Sequence, residues 1–96
     1  MMLEAAIHAL AACRERIDEV DRRILALLNE RTEIVEAIAR IKASAQLPVY
    51  EPRLEDEVFR NIAEHNHGPL SQDAAKRVFE RIIDEMRKLQ RERMQK

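Results

Sequence analysis

The stretch LLNERTEIVEAIARIK, from Leu27 to Lys42, holds neither glycine nor proline and repeats its apolar residues at helical spacing, yet Arg31 stands where the repeat asks for an aliphatic side chain. Lys42 follows eleven residues later. Eleven residues turn a helix through about 1100°, which leaves the two cations within about 20° of each other and three turns apart. Arg14 lies on the heptad line of Asp21, Leu28, Val35 and Lys42. It is too far along the axis to join the others within one chain, but an antiparallel second chain would bring its own Arg14 to them. Near the other end of the sequence Gln90 continues the series Phe79, Ile83, Met86, so a carboxamide is aimed toward an apolar interior.

Each of these residues has an ordinary structural explanation. Arg31 can snorkel or pair with Asp21 or Glu30, Lys42 can complement the helix dipole, and Gln90 can serve as an interface hydrogen bonder. Taken together they suggest more. Buried unpaired donors cost roughly 1–3 kcal/mol each, so three cations and an amide on apolar faces call for a small, doubly negative guest.

The elements that must position these residues are helices. Nothing from Leu3 to about Ser44 breaks a helix, and Leu10, Cys13, Ile17, Val20, Ile24, Leu27, Arg31, Ile34, Ile38 and Ile41 alternate steps of three and four residues. A helix of roughly 40 residues spans about 60 Å, twice the diameter of a small domain, so the rest of the chain cannot cover it and a partner chain is expected. On its outer face Asp18/Arg22, Glu19/Arg23 and Glu36/Arg40 stand at i,i+4. Pro48 ends the helix by forcing Leu47 out of helical geometry, and Pro52 suits the first turn of the next. That second helix is expected from Pro52 to Glu64, with Leu54, Val58, Phe59 and Ile62 inward. Gly68 and Pro69 close it, and Ser71 caps a third helix from Gln72 to Arg91 or beyond, with Ala75, Val78, Phe79, Ile82, Ile83, Met86 and Leu89 inward. The expected fold is all-α: one very long N-terminal helix, one short and one medium, in a single domain spanning 1–96.

Composition narrows the function. The chain is 46% hydrophobic, 3% aromatic and 36% charged, with one glycine, which suits long helices with charged outer faces. Seventeen Lys plus Arg against eighteen Asp plus Glu leave a net charge of −1, so no global field recommends nucleic acid or an anionic membrane. No apolar run approaches a membrane span and no signal-peptide pattern opens the chain, so a cytoplasmic protein is expected. Cys13 reads as a small hydrophobe, and His65 and His67 as members of a polar turn, so no metal and no cofactor are expected.

The segments CRERIDEVDRRILALLNERTEIVEAIARIK, LPVYEP and RVFERIIDEMRKLQ together resemble the all-helical chorismate mutases, and the resemblance runs from about Ala12 to Gln90. It implies an intertwined helical homodimer and an isomerase of aromatic amino-acid biosynthesis that rearranges chorismate to prephenate. Arg31 and Lys42 would bind the dianion, with Arg14 supplied across the interface, while Lys42 and Gln90 address the ether oxygen. Glu55 matches the carboxylate near the substrate hydroxyl, and Glu51 a position that is usually Asp. Two departures stand out. Leu54 occupies the place of a substrate-contacting cation, with Arg53 one residue early, and Met86 stands where some relatives carry a contacting serine.

Such a rearrangement is unimolecular and needs neither nucleophile nor metal. What a protein can supply is orientation, by clamping two carboxylates, and donors aimed at an ether oxygen as negative charge grows on it. Guanidinium forks suit the clamp and a lysine point charge suits the oxygen. The alternatives are an isochorismate pyruvate-lyase on the same scaffold, and a catalytically weak helical dimer that docks onto or regulates an enzyme of the same pathway.

Overall fold

The computed structural model describes residues 2–48 and 51–94. Val49 and Tyr50, the centre of the proline-flanked motif, lie outside the described residues. Three helices account for nearly all of the rest: α1 at Met2–Ala45, α2 at Pro52–His65 and α3 at Gln72–Met94. These limits match the expected ones to within three residues at every end. No helix among the described residues is long and apolar enough to cross a membrane.

The chain divides into two compact units, Met1–Glu33 and Ile34–Lys96. In the first, residues 2–33 of α1 are exposed apart from Leu28, Arg31 and Thr32, which are half-buried. Met2, Leu3, Ile7, Leu10, Ile17, Val20, Ile24 and Leu27 all present most or much of their surface to solvent. The Thr32 hydroxyl donates to the Leu28 carbonyl at 2.8 Å, the back-bond to residue i−4 that a helical threonine can make.

The second unit holds the last turns of α1 with α2 and α3. Its buried apolar side chains are Val35 and Ala39 on α1, and Ala75 and Ile83 on α3. Val58, Phe59, Ile62, Phe79, Ile82 and Met86 are half-buried around them. Two expected core positions turn out otherwise, Leu54 and Val78 being exposed, while Leu89 is half-buried like Phe79, Ile82 and Met86. The apolar stripe expected along α1 also splits. Ile34, Ile38 and Ile41 face outward, whereas the residues buried are Val35, Ala39 and Lys42, one register over. An α-helix whose apolar residues are wide enough for two contacts can present one line to its own chain and another elsewhere.

Local chemistry fixes the junctions. The Leu47 amide donates to the Lys42 carbonyl at 2.8 Å and the Gln46 amide to the Ala43 carbonyl at 3.3 Å. With Gln46 at φ 58°, this is the paired-bond C-terminal stop that glycine usually provides. Between α2 and α3 the organiser is Asn66. Its amide donates to the Leu70 carbonyl at 3.0 Å and to Gln72 Oε1 at 3.1 Å, and its Oδ1 accepts from the Gly68 amide at 3.1 Å. Gln72 Nε2 in turn donates to the Ala63 carbonyl at 2.9 Å. Gly68 adopts φ 79°, where a side chain would be strained, and the peptide that joins it to Pro69 is cis. Ser71 caps α3 as expected, its Oγ accepting from the Ala74 amide at 3.1 Å.

Candidate active site

Lys42 is the one buried charged side chain among the described residues, at 9% exposure. It stands in the last turns of α1, on the buried line of Val35 and Ala39. Its Nζ lies 3.0 Å from Oε1 of Glu51, the residue just before α2. Glu51 occupies the N-cap position of α2 but its side chain makes no capping bond there. The carboxylate faces the ammonium instead. A lysine buried this deeply needs a counter-charge, and the pair ties the end of α1 to the start of α2.

Glu55 lies one turn further along α2, and its Oε1 accepts from Arg87 Nη2 of α3. Both side chains are largely covered, at 26% for Arg87 and 21% for Glu55. Arg87 Nη1 also stands 3.8 Å from Asp84 Oδ1. Met86 and Gln90 are half-buried on the same helix. Arg93, near its end, pairs with Glu36 Oε2 of α1 at 3.0 Å, so Glu36 reaches across to α3 where the i,i+4 spacing had pointed to Arg40.

Arg31, in the first unit, is half-buried, and burial holds its guanidinium below its usual pKa. Arginine remains charged at any physiological pH even so. Arg14 is exposed on α1, and Arg53 is exposed in the first turn of α2 beside the exposed Leu54. The structure thus brings Lys42 together with Glu51, and Glu55 together with a residue the sequence reading passed over, Arg87. A signal for it existed. Arg87 lies four residues after Ile83 and three before Gln90, a spacing that puts it beside both on one face of α3.

In chemical terms, the buried ammonium of Lys42 and the half-buried carboxamide of Gln90, both in the second unit, are donors suited to a small anion, and the carboxylates of Glu51 and Glu55 in that unit are held by cations. This is an all-α, three-helix protein whose charged side chains are mostly exposed, with Lys42 buried and Arg31, Glu36, Glu51, Glu55 and Arg87 half-buried. Residues 13–91 match the family described as chorismate mutase type II, and the chain belongs to that family.

Its relatives agree. The chain is 30% identical over 90 residues to a chorismate mutase of Methanocaldococcus jannaschii, an alignment covering 90% of this chain and 88% of that protein. It is 36% identical over 81 residues to a bifunctional chorismate mutase/prephenate dehydratase of Aquifex aeolicus, covering 80% of this chain and 22% of that protein. The chain therefore spans about a fifth of the length of such bifunctional relatives. Among solved structures, the chorismate mutase (form II) of Thermus thermophilus superposes with a TM-score of 0.83 at 32% identity, covering 85% of this chain and 93% of that one.

Proposed function

We propose that the chain converts chorismate to prephenate as a cytoplasmic homodimer, folded as one domain over residues 1–96. The observation that carries this reading is Lys42: a buried, oriented ammonium at the position where the family resemblance requires a donor to the ether oxygen. In this scheme Arg31, and Arg14 of the partner chain, clamp the two substrate carboxylates and hold the enolpyruvyl arm over the ring. Lys42 and Gln90 donate to the ether oxygen while its bond to the ring breaks and a carbon–carbon bond forms at the other end of the arm. No proton leaves and no covalent enzyme intermediate forms. Glu55 accepts from the ring hydroxyl, Glu51 orients Lys42, and Arg53 and Met86 border the guest.

A donor held in a dry, preorganised site contributes roughly 3–4 kcal/mol to such a transition state. The exposed face of α1 supports the dimer. Burying one Leu or Ile side chain contributes about 1.5–3 kcal/mol, and Leu10, Ile17, Ile24, Leu27, Ile34 and Ile41 are each at least 48% exposed in the isolated chain.

The direct test follows chorismate consumption spectrophotometrically beside a sedimentation measurement of mass. Loss of chorismate with formation of prephenate, at twice the chain mass, is the expected result. Release of pyruvate from isochorismate, with chorismate untouched, would favour the lyase alternative. No turnover of either substrate would leave the docking dimer.

A further inference from the structure

We infer that Arg87 is a positioning residue for this reaction, holding the Glu55 carboxylate in place from α3; the inference rests on the reading of the site proposed above. Glu51 and Glu55 stand four residues apart at the start of α2, on one face of that helix. Each is engaged by a cation from a different helix, Glu51 by Lys42 of α1 and Glu55 by Arg87 of α3. The first turn of α2 is thereby anchored at both carboxylates.

The pair differs from the ordinary surface pairs of α3. Arg81 and Glu85 meet at 2.8 Å with 72% and 52% of their side chains exposed, a setting in which ion pairs contribute little. Arg87 and Glu55 are less than a third exposed, between helices, where screening is weak, and Arg87 reaches Glu55 with one guanidinium nitrogen while the other stands 3.8 Å from Asp84. A purely architectural role is already filled. The α2–α3 end is tied by Asn66 and Gln72, and Ile83 and Ala75 supply buried apolar contact. What Arg87 adds is a fixed direction for one carboxylate oxygen, which leaves Glu55 a defined second oxygen with which to meet a hydroxyl. A guanidinium does this better than an ammonium, because its planar fork restricts the angle as well as the distance.

The test is a double-mutant cycle on kcat/KM for chorismate, with helicity by circular dichroism and dimer mass recorded for every variant. Arg87→Met keeps the apolar stem and removes the charge. It should lower kcat/KM about tenfold or more at unchanged helicity and mass, as expected when a site group is misplaced by a fraction of an ångström. Combined with Glu55→Gln it should add less than about threefold to the loss from Glu55→Gln alone, because the two residues act as one unit. Arg87→Lys should recover part of the lost efficiency. Two results would overturn the inference: Arg87→Met staying within about threefold of the parent, or losses that multiply in the double variant. If Arg87→Met loses its helicity, Arg87→Gln takes its place in the cycle under the same criteria. A parent protein that does not consume chorismate refutes the proposed function instead, which separates the two failures.

Discussion

At the scale of single residues, what matters is how few charges are taken out of water and with what company. Lys42 is buried and faces Glu51, and Arg31 is half-buried with its pKa lowered by desolvation. Replacing Arg31 or Lys42 by alanine should each lower kcat/KM by about 10²- to 10³-fold or more, the usual cost of removing a transition-state donor. Circular dichroism should show the helices intact, and a variant that stays active would exclude the residue from the site. Gln90 permits a pH test. A carboxamide donates at any pH, whereas a carboxyl donates only when protonated. Gln90→Glu should therefore be active at pH values below the pKa of the new carboxyl and lose activity as pH rises through it, while the parent shows no such loss. A pH profile of kcat/KM reads the difference directly.

At the scale of elements, the end of α1 rests on a residue badly suited to its backbone. Gln46 sits at φ 58°, in the left-handed region that costs a side-chain-bearing residue about 1 kcal/mol or more. Gln46→Gly should stabilise the protein by roughly 0.5–1 kcal/mol, the strain relieved being partly offset by the freedom glycine gains in the unfolded chain. Urea denaturation at fixed protein concentration checks this, and a destabilised variant would mean that the side chain makes a compensating contact. The stop begins at the Lys42 carbonyl, so the same turn that ends the helix also sets where the buried ammonium emerges.

At the scale of the whole molecule, the described core is small: four buried apolar side chains, none of them aromatic. That is a thin core for a 96-residue chain, and the proposed dimer would cover the exposed apolar line of α1. If Arg14 crosses the interface, Arg14→Ala and Arg31→Ala proteins should each be nearly inactive, yet a mixture unfolded and refolded together should recover about a quarter of parental activity. Half of the dimers would then be mixed, and one of the two sites in each would carry both lesions while the other carried none. No recovery on mixing would place Arg14 outside the partner's site. The melting temperature should also rise with protein concentration, as for any dimer that gains stability on association.

Helices were legible because their signals are local. The proline at each end of the 48–52 segment, the capping serine at 71 and the three- and four-residue steps of apolar residues are interactions between near neighbours, and all three helices lie where these put them. The candidates Arg31, Lys42 and Gln90 were legible for the same reason, as polar residues on apolar helical faces. Which line of α1 faces its own chain was not, because Ile34–Ile38–Ile41 and Val35–Ala39–Lys42 are both plausible stripes on a helix that is apolar over a wide arc. Nor was the Glu55–Arg87 pair, or the choice of Arg93 over Arg40 by Glu36. Those partners stand 32 and 57 positions apart, and only the packing of one helix on another decides which long side chain reaches which charge.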